Sequence, residues 1–230
     1  MNLEHRTYSK FADARAKHLL SSLLQFADNP TQYRAVMKSL GILLGEHVSS
    51  KLSSNEPILV ASTAEDADYL ASGVIKSLTC KTSSEIFSAV FWNNHYQLPN
   101  NKGSLAPIVH EFLETGYRSA KILVIVKSVI SGSCVVRTNL LHLLTNVNFE
   151  KIFVVSPVIH SKSIQNLNNE FPKSVSNKFT YLYFAQDADK DYSTGEVKPG
   201  IGGQIYQLLG LGAQPVAISF IPQLVLSKFS

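Results

Sequence analysis

Three short loops hold the residues whose types and spacing could do chemistry. In "STAEDAD", Ser62 to Asp68, two hydroxyls stand beside three carboxylates. Opening a helix, the backbone amides at Ser62, Thr63, Ala64, Glu65 and Asp66 can receive an anion such as pyrophosphate. Glu65, Asp66 and Asp68 repel that anion unless a cation such as Mg²⁺ mediates. The same acids also suit the dipole of an ordinary surface helix. The second loop is "KSVISGSCV", in which Lys127, Ser128, Ser131, Gly132, Ser133 and Cys134 lie between an apolar run and an amphipathic one. Gly132 permits backbone conformations closed to other residues, so amides can converge on a phosphate while Ser131 and Ser133 bond its oxygens. A plain strand, cap and helix give the same pattern. The third is "GEVKPGIGG", with four glycines and a proline between Gly195 and Gly203. A shaped loop of this kind brings bare N–H and C=O groups to the edge of a flat heterocycle, or simply makes a tight turn.

These loops need a scaffold that brings them together. "ILVAS", "EIFSAVFW", "KILVIV", "KIFVVS", "FTYLYFA" and "PVAISFI" read as strands rich in Val, Ile, Phe and Tyr. "AEDADYLASGVIKSL", "LAPIVHEFLETGY", "VVRTNLLHLLTN" and "SIQNLNNEF" read as the helices between them. Strands apolar throughout, alternating with helices, predict an α/β fold with a parallel sheet covered on both faces. Ligands bind such a sheet at the carboxyl ends of its strands. Residues 1–52 read as an N-terminal helical arm and 53–230 as the α/β domain. Within the arm, Phe11, Ala14, His18, Leu19, Ser22 and Phe26 share one face. A second helix follows Asp28 or Asn29, with Pro30 in its first turn and Tyr33, Val36, Met37, Leu40, Leu43 and Leu44 as its stripe. The polar stretch from Asn93 to Ser104 reads as a long loop.

At 230 residues with 45% hydrophobic composition, the chain is long enough for one sizeable core. A net charge of +4, with scattered basic residues, gives no indication of nucleic-acid binding. Two cysteines, Cys80 and Cys134, make neither a disulfide framework nor a zinc pattern, and a reducing cytoplasm is the expected location. No apolar run is long enough for a membrane span, and no signal peptide is evident. Of the isolated residues, His18 and His110 read as core-edge residues on helices, Trp92 as packing against the sheet, and His95 as the histidine to test.

Taken in order, the loops resemble the type I phosphoribosyltransferase family, and within it the uracil phosphoribosyltransferase branch. "PTQYRAVMKSLGILLGEHV" is similar to that branch's N-terminal helix, "KILVIVKSVISGSCVV" to the phosphoribosyl pyrophosphate loop, "FAQDAD" to the acidic turn before the base site and "GEVKPGIGG" to the uracil loop. The resemblance implies a parallel sheet flanked by helices. It also implies a 5'-phosphate cupped by Ser131 to Cys134 and a pyrophosphate loop at "STAED". A pyrimidine-like base would sit near Asp187, Lys198, Gly200, Ile201 and Gly202, and a lid would run from Asn93 to Ser104. Mg²⁺ would accompany a phosphorylated ligand. A nucleotide or nucleobase partner, and a homodimer or place in a larger complex, follow from the same likeness.

The chain departs from the family where catalysis is most exacting. The family opens its phosphoribosyl pyrophosphate loop with acids that hold the ribose hydroxyls; Lys127 and Ser128 stand there instead, and the loop is one residue shorter. Gly203 replaces an Asp after the base loop, and no Arg accompanies "STAEDAD". Each lost charged hydrogen bond removes roughly 1.5–3 kcal/mol. Three readings stay open. The chain is a divergent transferase in which Asp187, Asp189 or the "EDAD" acids replace the missing carboxylates; or a degenerate nucleotide sensor or effector subunit; or an assembly protein whose loops are only turns.

Overall fold

The computed structural model describes residues 5–53, 55–97, 104–191, 194–212 and 220–229. Its centre is a sheet of β1 (Arg6–Tyr8), β2 (Ile58–Thr63), β3 (Ile86–Asn93), β6 (Ile108–Leu113), β7 (Ile122–Val126), β9 (Lys151–His160) and β10 (Phe179–Asp187), ordered β1-β10-β9-β7-β2-β3-β6. The short β8 (Val129–Ile130) pairs with β9 beside β7. The five inner strands run parallel; β1 and β6 close the two edges antiparallel. Small hairpins join β4 (Tyr96–Gln97) to β5 (Ser104–Leu105) and β11 (Asp189–Lys190) to β12 (Val197–Lys198).

The inner strands are apolar throughout because both faces are covered. Ile58, Val60, Val124 and Val155 point to one core, and Leu59, Ala61, Leu123 and Val154 to the other, as the two-residue period of a strand requires. The first core is covered by α1 (Ala14–Gln25), α2 (Pro30–Ser49) and α4 (Ser72–Lys81). The short α3 (Ala64–Asp66) and a π-helical turn, Ala67–Ala71, lead into α4. The second core lies under α5 (Cys134–Leu144) and α6 (Ser163–Asn169). Short helices α7 (Lys173–Ser176), α8 (Ile205–Leu208) and α9 (Gln223–Leu226) complete the chain. Among the described residues, no helix is long and apolar enough to cross a membrane.

Two glycines, Gly41 on α2 and Gly73 on α4, allow α2 to meet the π turn and the start of α4 at backbone distance. A Cβ on Gly41 would lie 2.1 Å from the Leu70 carbonyl oxygen, and one on Gly73 would lie 2.3 Å from that of Lys38. The stripe expected on α2 is the buried one, from Tyr33 to Leu44. Asn29 is its N-cap, accepting from the Gln32 amide at 3.2 Å.

Several expected elements differ. Arg6 to Tyr8 form a strand rather than a helix, because β10 offers an open edge whose backbone groups β1 satisfies. The inward face of α1 is Ala16, Leu20, Ser22 and Leu23; of the expected face, Ser22 is buried and Phe11, Leu19 and Phe26 pack against the same core, while Ala14 and His18 are exposed. The segment "LAPIVHEFL", expected as a helix, is strand β6: Pro107 precedes it, Ile108 and Val109 are β-branched, and it pairs with the outer edge of β3. His110 is therefore an exposed strand residue, set edge-on to Trp92 at 5.9 Å. Trp92 itself is buried and donates to the Phe220 carbonyl. Most of "PVAISFI" lies outside the described residues, as does the middle of the expected lid, residues 98–103.

Candidate functional site

The carboxyl ends of the parallel strands surround a cavity of about 190 Å³. A single water needs only roughly 10–15 Å³ measured this way, so the space admits a small organic molecule. Glu65 reaches it from beyond β2, Lys127 from beyond β7, Lys190 from beyond β10, and Asn93 and His95 from the end of β3. Ser131, Gly132 and Cys134 line one side; Val197, Ile201, Gly203, Gln204 and Tyr206 line another. The two glycine-bearing bends therefore border one hollow.

At its floor Lys127 is clasped by acids. Its Nζ lies 2.6 Å from Asp66 Oδ2 and 3.1 Å from Glu65 Oε1, and all three side chains are nearly inaccessible. Burial alone would lower the lysine pKa, but the two carboxylates outweigh it and hold the ammonium well above its ordinary value. Asp66 Oδ2 also accepts from Thr63 Oγ1 at 2.9 Å and the Ser128 amide at 3.2 Å. The second oxygen of Glu65 accepts from the Tyr206 hydroxyl at 3.1 Å. Burial, then Glu65, pushes the Tyr206 phenol far up. A lysine and two carboxylates sum to one negative charge at this end of the hollow.

Lys190 and Glu196 line the hollow as well. Lys190 Nζ donates to the Ser131 carbonyl at 3.1 Å, and burial lowers its pKa. His95 is held below its usual value by burial, then by Lys190 and Lys127, which favours the neutral ring at pH 7. The first turn of α5 adds amides without intrahelical partners, and its N-cap, Ser133, gives no side-chain cap.

The sequence-derived sets divide between cavity and support. Lys127, Ser131, Gly132 and Cys134 line the hollow. Ser128 is fully buried, and Ser133 turns away to donate to Glu170 at 3.0 Å. Gly132 does not use its conformational freedom: its φ is not positive and a Cβ there would meet nothing. That loop is fixed by side chains instead, with Ser163 Oγ donating to the Ile130 carbonyl at 2.6 Å. Cys134 Sγ is spent on the Ser104 carbonyl. Of Ser62, Thr63, Ala64, Glu65 and Asp66, only Glu65 reaches the cavity. Of the base-binding set, only Ile201 does. Lys198 is exposed and pairs with Asp191 at 2.7 Å, while Gly202 packs towards Leu24 and Ala27.

Asp187 and Gly200 are structural. Arg6 grips the Asp187 carboxylate through Nε and Nη2, each at 2.7 Å, and Nη2 also reaches the Gly200 carbonyl at 2.6 Å. The Gly200 amide returns to Asp187 at 2.9 Å. Gly200 has φ +56° and a Cβ would sit 2.1 Å from the Val197 carbonyl oxygen, so only glycine fits. Tyr33 Oη donates to the Ile201 carbonyl at 2.9 Å, and Arg34 Nε to that of Leu209 at 2.9 Å. Tyr33 thus holds the same loop, while Arg34 holds the end of α8.

The cavity acids do not fit a Mg²⁺ site, because the Lys127 ammonium already sits where the cation would. Among the described residues, no group of three His, Cys, Asp or Glu is placed to hold a metal.

In fold, the chain is similar to the AQ2163 protein from Aquifex aeolicus. The TM-score is 0.67 at 13% identity, covering 88% of this chain and 97% of that one. A hypoxanthine phosphoribosyltransferase from Staphylococcus aureus (TM-score 0.43, 11% identity, 67% of this chain and 74% of that one) is more distant. So is a hypothetical protein from Neisseria gonorrhoeae with bound ppGpp (TM-score 0.44, 11% identity, 77% and 93%). At those two scores the likeness says nothing about family or ligand. No protein-family model matches the sequence, and the comparison with curated proteins found no match.

Proposed function

We propose that the chain binds a pyrimidine nucleoside monophosphate, or a close relative, and does not transfer a phosphoribosyl group. One observation carries this reading: the acids that the sequence offered in place of the missing ribose-binding carboxylates are already held by other groups. Asp187 is held by Arg6 and Gly200, Asp189 by His5, Glu65 and Asp66 by Lys127, and Asp68 by the amides of Gln223 and Leu224. Among the described residues, that leaves Glu196 as the one other acid lining the cavity, and it stands just before β12 rather than at the Lys127 bend where the transferase resemblance places the ribose acids. The phosphate belongs beside Lys190 and the Ser131–Cys134 bend. The anionic floor under Glu65 and Lys127 disfavours the second phosphate of a pyrophosphate. A cavity of about 190 Å³ is below the roughly 300–1,000 Å³ of drug-sized pockets and suits a one-ring base.

The test is a thermal-shift series with UMP, uridine, pyrophosphate and phosphoribosyl pyrophosphate, followed by incubation of the last with Mg²⁺ and uracil. A melting temperature raised by UMP but not by pyrophosphate, with no nucleotide formed, is the expected result. A new nucleotide in the incubation would return the chain to the divergent transferases; a flat thermal series would remove the ligand altogether.

A further inference from the structure

We propose that Arg6 is a positioning residue for the cavity: from the edge strand it fixes the Gly200 bend, and through it the wall formed by Ile201, Gly203 and Gln204. The ligand half of this inference rests on the binding function proposed above; the clamp itself does not.

The geometry is that of a latch. One guanidinium serves three acceptors, two on Asp187 and one on the Gly200 backbone, at 2.6–2.7 Å. Asp187 in turn accepts the Gly200 amide, so both backbone polar groups of that glycine are held by one buried ion pair. The two side chains are 1% and 0% exposed. An ion pair serving stability alone has no need to reach a third, backbone acceptor, and replacing such a pair by apolar residues is often neutral. What apolar residues cannot supply is the pair of hydrogen bonds to Gly200. Those bonds fix a glycine that is already confined to φ +56°, and the next residue, Ile201, is the buried apolar face of the cavity wall. The register of β1 agrees with the latch: Thr7 and Tyr8 pair with Gln186 and Ala185 of β10, which sets Arg6 opposite Asp187.

Lysine keeps the charge but is a point donor without the planar fork, so Arg6→Lys separates the two roles. In Arg6→Lys and Arg6→Gln, amide hydrogen exchange should accelerate about tenfold or more at Gly200 and Gly202, with β7 and β9 unchanged. The dissociation constant for UMP, read by calorimetry, should weaken by about tenfold. Unchanged exchange at Gly200 in both variants overturns the latch. Acceleration shared equally by β7 and β9 does so too, since it makes Arg6 a general stability residue. A loosened bend with unaltered UMP affinity overturns the positioning role. If the wild-type protein binds no UMP, the function proposed above fails, and exchange at Gly200 and Gly202 still decides the clamp.

Discussion

Lys127 is the residue on which the floor of the cavity turns. Its ammonium is the counter-charge for two buried carboxylates, and removing one member of a buried pair leaves the others uncompensated. Lys127→Met should therefore cost about 3–5 kcal/mol of unfolding free energy in urea at pH 7. Tyr33 makes a different forecast. Burial, then Asp66, raises its phenol far above the usual value. The folded state keeps a proton that the unfolded chain gives up above about pH 10, so stability is complete below that point and falls as pH rises beyond it. Melting temperature should decline from pH 9 to 11, and decline less in Tyr33→Phe. At neutral pH that variant should be about 1 kcal/mol less stable, because the Ile201 carbonyl loses its donor. At this scale the sequence pointed to Lys127 as an anomaly, yet not to what it does. Its partners lie 61 and 62 residues away, and only the pairing of β7 with β2 brings them together.

At the scale of elements, the contact of α2 with the π turn and the start of α4 is set by Gly41 and Gly73. On an exposed helix, Gly→Ala gains about 1 kcal/mol. Here the added methyl of Gly41→Ala would strike the Leu70 carbonyl, which belongs to backbone and cannot rotate aside. Overpacking of this kind costs about 1–3 kcal/mol, so the sign reverses, and urea unfolding of Gly41→Ala should show a net loss. The stripe of α2 and the inner strands were legible because burial writes a period into a sequence: 3.6 for Tyr33 to Leu44, and unbroken apolar runs for doubly covered strands. Edges obey another rule. Both β1 and β6 were misread because an edge strand answers to its neighbour's unpaired backbone, which local pattern does not record. On α1 only Ala14 and His18 fell on the wrong side, at the margin of a face that Ser22, Leu19 and Phe26 do share.

For the whole molecule, the arrangement of loops at the strand ends followed from the parallel sheet, and the meeting of the Ser131 and Gly200 bends came with it. The division between lining and supporting residues did not, because a glycine loop looks the same whether its amides face a ligand or a buried aspartate. The ligand-linked stability proposed above is a property at this scale. UMP at a hundred times its dissociation constant should stabilise the fold by about 2.7 kcal/mol, against none for pyrophosphate.

The wall of the hollow has one further property, which concerns time. Arg6 is synthesised 181 residues before Asp187, and 194 before Gly200. The helices α1 and α2 can nucleate while translation continues, but the seat for a ligand cannot exist until the last strand of the sheet and the bend after it have left the ribosome. A chain halted anywhere before Gly200 can hold much of the scaffold but lacks the wall of the pocket at residues 201–206, so ligand occupancy would report only on chains that have passed it.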